Sequence, residues 1–215
     1  MSQFSPLNTV LQFYRIPGLI NKSAANSRSA DLHPIEKSYI IKANHKRTQE
    51  FITGRFCAKK VLAELGVKVN VIPRDEHRAP VWPENVTGSI SHSGRLCASI
   101  VAFKNDYLGI GLDIEQKKIL KPAMAEYICN EDELKYIEEK NNPYLAVLFF
   151  SAKEALYKCL VQATEFQLGF KDVSINIASK DSFSIEFHNH PIDPKRFTCW
   201  YRLGPKYVYS LVTMI

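Results

Sequence analysis

Apolar residues in this chain recur first at helical spacing and then at strand spacing, and they do so twice. Between 35 and 65, Ile40, Ile41, Phe51, Ile52, Phe56, Val61, Leu62 and Leu65 are apolar, the recurrence of a helix with one buried face. Gly66 follows where a helix end favours a left-handed residue. A short strand is predicted at 67–72, then a proline-rich stretch over 73–83. Two strands follow at 88–103 and 107–114, joined by the turn Lys104-Asn105-Asp106. The second half begins again with helices, predicted at 121–129, 132–139 and 143–161. It ends with strands at 173–178, 183–187, 197–203 and 207–213. The small polar residues of 21–34 read as a loop.

Each half therefore carries helices first and strands after, without a close sequence repeat or a low-complexity tract. An α+β protein of two lobes is expected, with the junction near 112–117, giving an N-terminal lobe of 1–112 and a C-terminal lobe of 113–215. A ligand is expected in the cleft between such lobes.

Composition narrows the class. The chain is 46% hydrophobic and 23% charged, as ordinary soluble globular proteins are. The apolar run 144–150 is far too short to cross a bilayer. The opening Met-Ser-Gln-Phe-Ser-Pro lacks the basic flank and apolar stretch of a secretory signal, so a cytoplasmic location is the expectation. Cys57, Cys97, Cys129, Cys159 and Cys199 are odd in number and widely spaced, with no Cys-x-x-Cys pair. They are expected to be reduced, structural thiols. Lysine and arginine outnumber the acids by 28 to 22, a net +6, which favours anionic partners without saying which.

Four clusters could carry chemistry. In Gly-Leu-Asp-Ile-Glu at 111–115, strand alternation puts Asp113 and Glu115 on one face. Such a pair is either solvated surface or a site for a hard cation such as Mg²⁺. In Phe-Ser-Ala-Lys-Glu-Ala-Leu-Tyr-Lys at 150–158, Glu154 and Lys158 stand four apart on one helix face. They form either an ordinary ion pair or charges at the rim of a buried face. In Gly-Ser-Ile-Ser-His-Ser at 88–93, glycine and small hydroxyl residues around His92 let the backbone approach an anion. A hydrolase triad is disfavoured, since no nucleophile elbow is present and Ser91 directly adjoins His92. Arg47, Arg55 and Arg78 supply planar donors suited to phosphate. Neither a Walker A loop nor a Gly-x-Gly-x-x-Gly fingerprint occurs. His188-Asn-His190 reads as a surface turn before Pro191 rather than a metal site.

Taken in order, Arg47-x-x-Glu-Phe-x-x-Gly-Arg55, Arg78-Ala-Pro-Val-Trp-Pro83, the histidine segment 88–93, the acidic segment 111–115 and the segment 150–158 resemble the 4′-phosphopantetheinyl transferase superfamily. The likeness is to its two-lobed branch, the enterobactin-synthetase type, and covers roughly 47–160. It implies similar α+β lobes related by a pseudo-twofold axis, with coenzyme A between them. It further implies Mg²⁺, or Mn²⁺ in its place, on Asp113, Glu115 and Glu154. Arg47, Arg55, Arg78, Ser91 and His92 would surround the nucleotide and its 3′-phosphate, and Lys153 and Lys158 would lie near the pyrophosphate. Glu154 is the candidate base, with Lys158 adding positive charge at the leaving oxygen. Three positions depart from the pattern: Phe150 stands where many relatives carry Trp, Ile114 cannot ligate metal, and Arg78 stands where lysine is common.

The implied reaction transfers the 4′-phosphopantetheine group of coenzyme A to a serine of an acidic apo carrier protein, releasing adenosine 3′,5′-bisphosphate. Siderophore or other nonribosomal peptide synthesis is the expected setting, and a monomer the expected state. A metal-dependent phosphohydrolase could use the same carboxylates. A nucleic-acid-binding module ranks lower, for want of a recognised motif or a concentrated basic stripe.

Overall fold

The computed structural model describes residues 6–15, 32–166 and 168–215, so most of the loop expected at 21–34 lies outside the described residues. The chain divides into two compact units, 1–106 and 107–215. The division precedes the acidic strand instead of cutting it at 112, because that strand pairs along its whole length with the last strand of the chain.

The first unit contains β1 (Val10–Arg15), α1 (Pro34–Ser38), α2 (His45–Glu64), β2 (Val86–Ser93) and β3 (Leu96–Phe103). Its sheet runs in the order β1-β3-β2 with antiparallel pairing. The helix expected over 35–65 is two helices, because the Asn44 side chain accepts from the Arg47 N–H and starts α2 afresh. Gly66, at φ +87°, terminates α2 as expected. The strand expected at 67–72 is irregular backbone. The single strand expected at 88–103 is a hairpin that turns at Gly94, φ +58°. β1 was not anticipated. One core joins Ala58, Val61 and Leu62 of α2 to Val86 and Val101 of the sheet.

The second unit contains β4 (Gly109–Gln116), α3 (Pro122–Ile128), α4 (Glu131–Glu139), α5 (Leu145–Ala163), β5 (Val173–Ile177), β6 (Phe183–Phe187), β7 (Phe197–Leu203) and β8 (Tyr207–Met214). β4-β8-β7 form one antiparallel sheet and β5-β6 a ribbon. α5 lies against β4 and β8. Its approach to β4 demands glycine: a Cβ at Gly111 would stand 1.7 Å from the Ala155 carbonyl oxygen, and one at Gly109 would stand 2.3 Å from that of Cys159. The odd-numbered side of β4, which carries Asp113 and Glu115, is therefore the side facing α5.

Both units use the same buried clasp. Glu36 sits three residues into α1 and is fully buried. It accepts from the N–H groups of His33 and Ile72 and from Lys59. Glu133 is placed alike in α4 and accepts from the N–H groups of Asn130 and Ile175 and from Lys153. Three residues after each glutamate a tyrosine packs edge-on against a phenylalanine of the long helix, Tyr39 on Phe51 and Tyr136 on Phe149. Four residues after each phenylalanine comes a cation paired with the buried glutamate, Arg55 at 3.9 Å from Glu36 in one unit and Lys153 at 2.7 Å from Glu133 in the other, Glu36 being held more closely by Lys59 at 2.7 Å. All five cysteines are buried and unbridged; burial pushes the Cys129 and Cys199 thiols up to about 12.

Candidate active-site groups

In the first unit the basic residues gather where α2 meets β2 and the 73–80 turn. Arg47 Nη1 lies 3.0 Å from His92 Nε2 and 3.7 Å from Glu50, while His92 Nδ1 faces the other Glu50 oxygen at 3.7 Å. Since guanidinium only donates, His92 accepts at Nε2 in this arrangement and carries its proton on Nδ1 toward Glu50. Arg55, eight residues on, is buried at 5% exposure, stacked 4.7 Å over Phe51 and 3.9 Å from Glu36. Burial, only partly offset by Glu36, brings its guanidinium down to about 10, and Arg74 and Arg47 push the same way. It stays cationic at neutral pH.

Arg74 is the member of this group that the sequence reading missed. Its guanidinium stacks 4.1 Å over Tyr39 and 5.6 Å from Phe51. Burial, then the positive charges of Arg78 and Arg47, lower its pKa. Among the described residues neither Arg74 nor Arg78 has an ion-pair partner. Gathering arginines without matching acids costs free energy unless an anion joins them. Arg78 itself is exposed and left-handed, φ +67°, in a turn closed by its N–H on the Asp75 carbonyl. Ser91 is buried on β2. A proline before Arg74 and a turn after it were the available signals for its role.

In the second unit Asp113, 3% exposed, takes a hydrogen bond from Lys158 Nζ at 2.6 Å, and the same ammonium donates to the Leu112 carbonyl at 3.3 Å. Burial raises the pKa of Glu154; Lys158 opposes that and Asp113 adds to it. The two carboxylates thus share one electrostatic neighbourhood with a lysine, and Glu115 is half-buried two residues along β4. Glu154 also lines a cavity of about 250 Å³ with Tyr127, Tyr157, Leu168 and Phe170.

Lys153 does not belong with this group. It is 3% exposed, and its three N–H donors go to Glu133 at 2.7 Å, the Ile128 carbonyl at 2.9 Å and the Phe170 carbonyl at 2.7 Å. A lysine with three good acceptors has no donor left for a pyrophosphate; it is the clasp of the second unit. His188 pairs with Ser174 at 2.6 Å and the His190 ring packs on Phe166, so that histidine pair is not gathered for metal.

Among the described residues no three Asp, Glu, His or Cys side chains form a ready metal cage, so the three-carboxylate set is not preassembled. The donor chemistry still fits a hard dication. Mg²⁺ takes one or two carboxylates and completes its shell with water and substrate phosphate oxygens. The mutual repulsion of Asp113 and Glu154 is what such a cation would relieve.

Comparison with known proteins gives this geometry its setting. The family description "4'-phosphopantetheinyl transferase N-terminal domain" matches residues 35–102, and "4'-phosphopantetheinyl transferase superfamily" matches 109–212. The chain is 34% identical over 167 residues to the 4'-phosphopantetheinyl transferase Npt of Nocardia iowensis, covering 75% of each chain. It is 33% identical over 175 residues to enterobactin synthase component D of Escherichia coli K12, covering 79% of this chain and 78% of that one. Against PptT of Mycobacterium tuberculosis it is 31% identical over 144 residues, 66% of this chain and 63% of the relative. A holo-[acyl-carrier-protein] synthase of Helicobacter pylori, solved with coenzyme A, overlays at TM-score 0.41 and 20% identity, covering 49% of this chain and 99% of that one. No helix among the described residues is long and apolar enough to cross a membrane. On its motifs, its domain matches and its relatives, the chain belongs to the 4′-phosphopantetheinyl transferase superfamily.

Proposed function

We propose that the chain transfers 4′-phosphopantetheine from coenzyme A to a serine of an acidic apo carrier protein, as in siderophore or other nonribosomal peptide synthesis. The observation that carries the reading is the Asp113–Lys158 pair beside Glu154, a half-buried carboxyl whose pKa burial raises. In the step, the serine oxygen bonds to the phosphorus that bears pantetheine. The bond from that phosphorus to the bridging oxygen breaks, and adenosine 3′,5′-bisphosphate leaves with the electron pair. Glu154 accepts the serine proton, and its raised pKa makes it a better base than an ordinary carboxylate. Lys158 offers positive charge to the leaving oxygen, and such preorganised charge is the main help phosphoryl transfer needs. Mg²⁺ or Mn²⁺, held by Asp113 with Glu115 or Glu154, would neutralise pyrophosphate charge when bound.

Arg47, Arg55, Arg74, Arg78 and His92 are suited to the nucleotide and its 3′-phosphate. The apolar cavity beside Glu154 is suited to the uncharged pantetheine arm. Lys117, Lys118 and Lys121, which follow β4, are candidates to attract the acidic carrier. Intact-mass analysis of an apo carrier incubated with coenzyme A tests the reading. A gain of one phosphopantetheine on the carrier supports it. Inorganic phosphate released while the carrier stays unmodified would replace it with the phosphohydrolase reading.

A further inference from the structure

Ser210 of β8 is fully buried, and its hydroxyl has no hydrogen-bond partner among the described residues. A hydroxyl kept in that state costs stability, where an alanine would not. Its position is informative. In the β4–β8 ladder Ser210 stands directly opposite Asp113, as Val212 stands opposite Gly111. Directly opposed residues share a face of the sheet, with Cβ atoms roughly 4.5–5.5 Å apart. That face is the one covered by α5, since Val208, Val212 and Met214 of β8 lie in the same core as α5.

α5 contributes a second such group. Successive odd residues of β4 step along α5 by one turn, Gly109 at Cys159 and Gly111 at Ala155. The same step carries Asp113 to the level of Ser151. The Ser151 hydroxyl is also fully buried and without a partner among the described residues. Two buried, uncommitted hydroxyls thus fall at the level of one buried carboxylate.

We infer that Ser210 is a positioning residue for Asp113: its hydroxyl turns about χ1 to donate to the carboxylate when a divalent cation competes with Lys158 for it. Lys158 Nζ holds Asp113 Oδ1 at 2.6 Å. With a cation on the carboxylate the lysine's hold is contested, and a donor anchored in the neighbouring strand keeps the ligand oriented. Only side-chain rotation is required, between staggered wells. Ser151 is placed to give the same help from the helix. This inference rests on the reading of Asp113 as a metal ligand.

The test compares wild type with Ser210→Ala in three measurements. These are melting temperature in EDTA, the added stability from Mg²⁺ with coenzyme A, and the Mg²⁺ concentration giving half-maximal transfer. Losing a hydrogen bond to a charged group should raise the Mg²⁺ requirement about tenfold in both metal readouts. Melting in EDTA should stay equal or rise, because an unused buried hydroxyl has gone. An unchanged Mg²⁺ requirement, or a clear loss of stability in EDTA, would overturn the inference. Wild-type transfer that persists in EDTA would instead overturn the metal reading itself, and the two failures are distinct.

Discussion

Arg55 and Glu154 are the residues whose surroundings say most about their work. Arg55 is held on three sides, by the Phe51 ring, by Glu36 and by burial, so its planar donors are fixed before any ligand arrives. If it grips the 3′-phosphate, Arg55→Ala should weaken coenzyme A by roughly ten- to hundredfold, and dephospho-coenzyme A far less. Equal losses in calorimetric titrations of both ligands would move it off that phosphate. Glu154 makes a prediction about pH. Its folded pKa is raised, chiefly by burial, so its contribution to stability is fully present below the ordinary carboxylate value of about 4.3 and is lost as pH rises through the raised value. Metal-free Glu154→Gln should therefore melt above wild type at neutral pH, with the gap closing as pH falls toward about 4. A gap that widens in acid would reverse the sign of the shift.

At the scale of elements, the two long helices carry Arg47, Arg55, Glu154 and Lys158, and the capped helices α1 and α4 are tied to them through Glu36 and Glu133. Glu133 and Lys153 are 3% exposed each, and their bond, with Glu133 also accepting from the Ile175 N–H, ties α4 and β5 to α5 one residue before Glu154. Breaking a buried pair from one side leaves an uncompensated charge, so Glu133→Ala should cost about 3–5 kcal/mol. Glu133→Leu with Lys153→Met should cost less than that single change. A double variant less stable than Glu133→Ala in urea melts would show that the pair is worth more than its packing. This clasp also marks what the sequence hid. Lys153 and Glu154 are neighbours in one motif, yet the Lys153 ammonium is spent on three buried acceptors while Glu154 shares its electrostatic surroundings with Lys158 and Asp113. Motif spacing alone cannot divide them; the partner glutamate, twenty residues upstream, can. Apolar recurrence located α2, α4 and α5, although only α4 is strongly amphipathic and α5 buries five consecutive residues, Leu145 to Phe149. It ran α1 into α2, since the break at Asn44 is a capping event with little effect on hydrophobic period. It missed β1, whose sequence Val-Leu-Gln-Phe-Tyr-Arg does not alternate apolar with polar residues. The hairpin of β2 and β3 was read as one strand because its turn is only two residues long, Gly94 and Arg95, between Ser93 and its partner Leu96.

At the scale of the whole chain, each unit brings one kind of chemistry. The first concentrates arginine around α2 and the 73–80 turn, and the second concentrates carboxylate and lysine on β4 and α5. The Gly-x-Asp-x-Glu and Lys-Glu-Ala-Leu-Tyr-Lys segments were legible because they combine strand and helix periods with charged residues on apolar faces. Arg74 was not legible, because stacking on Tyr39 and Phe51 brings together residues 35 and 23 positions apart in the chain. Net charge of +6 suits an acidic macromolecular acceptor, and the family assignment supplies the reaction class. The measurement that bears most directly on this account is the intact mass of an acidic apo carrier after incubation with coenzyme A, Mg²⁺ and either wild type or Asp113→Ala. The account predicts a carrier heavier by one phosphopantetheine with wild type, and a rate lower by roughly two orders of magnitude with Asp113→Ala. A carrier modified equally fast by both proteins, or by neither, would contradict it.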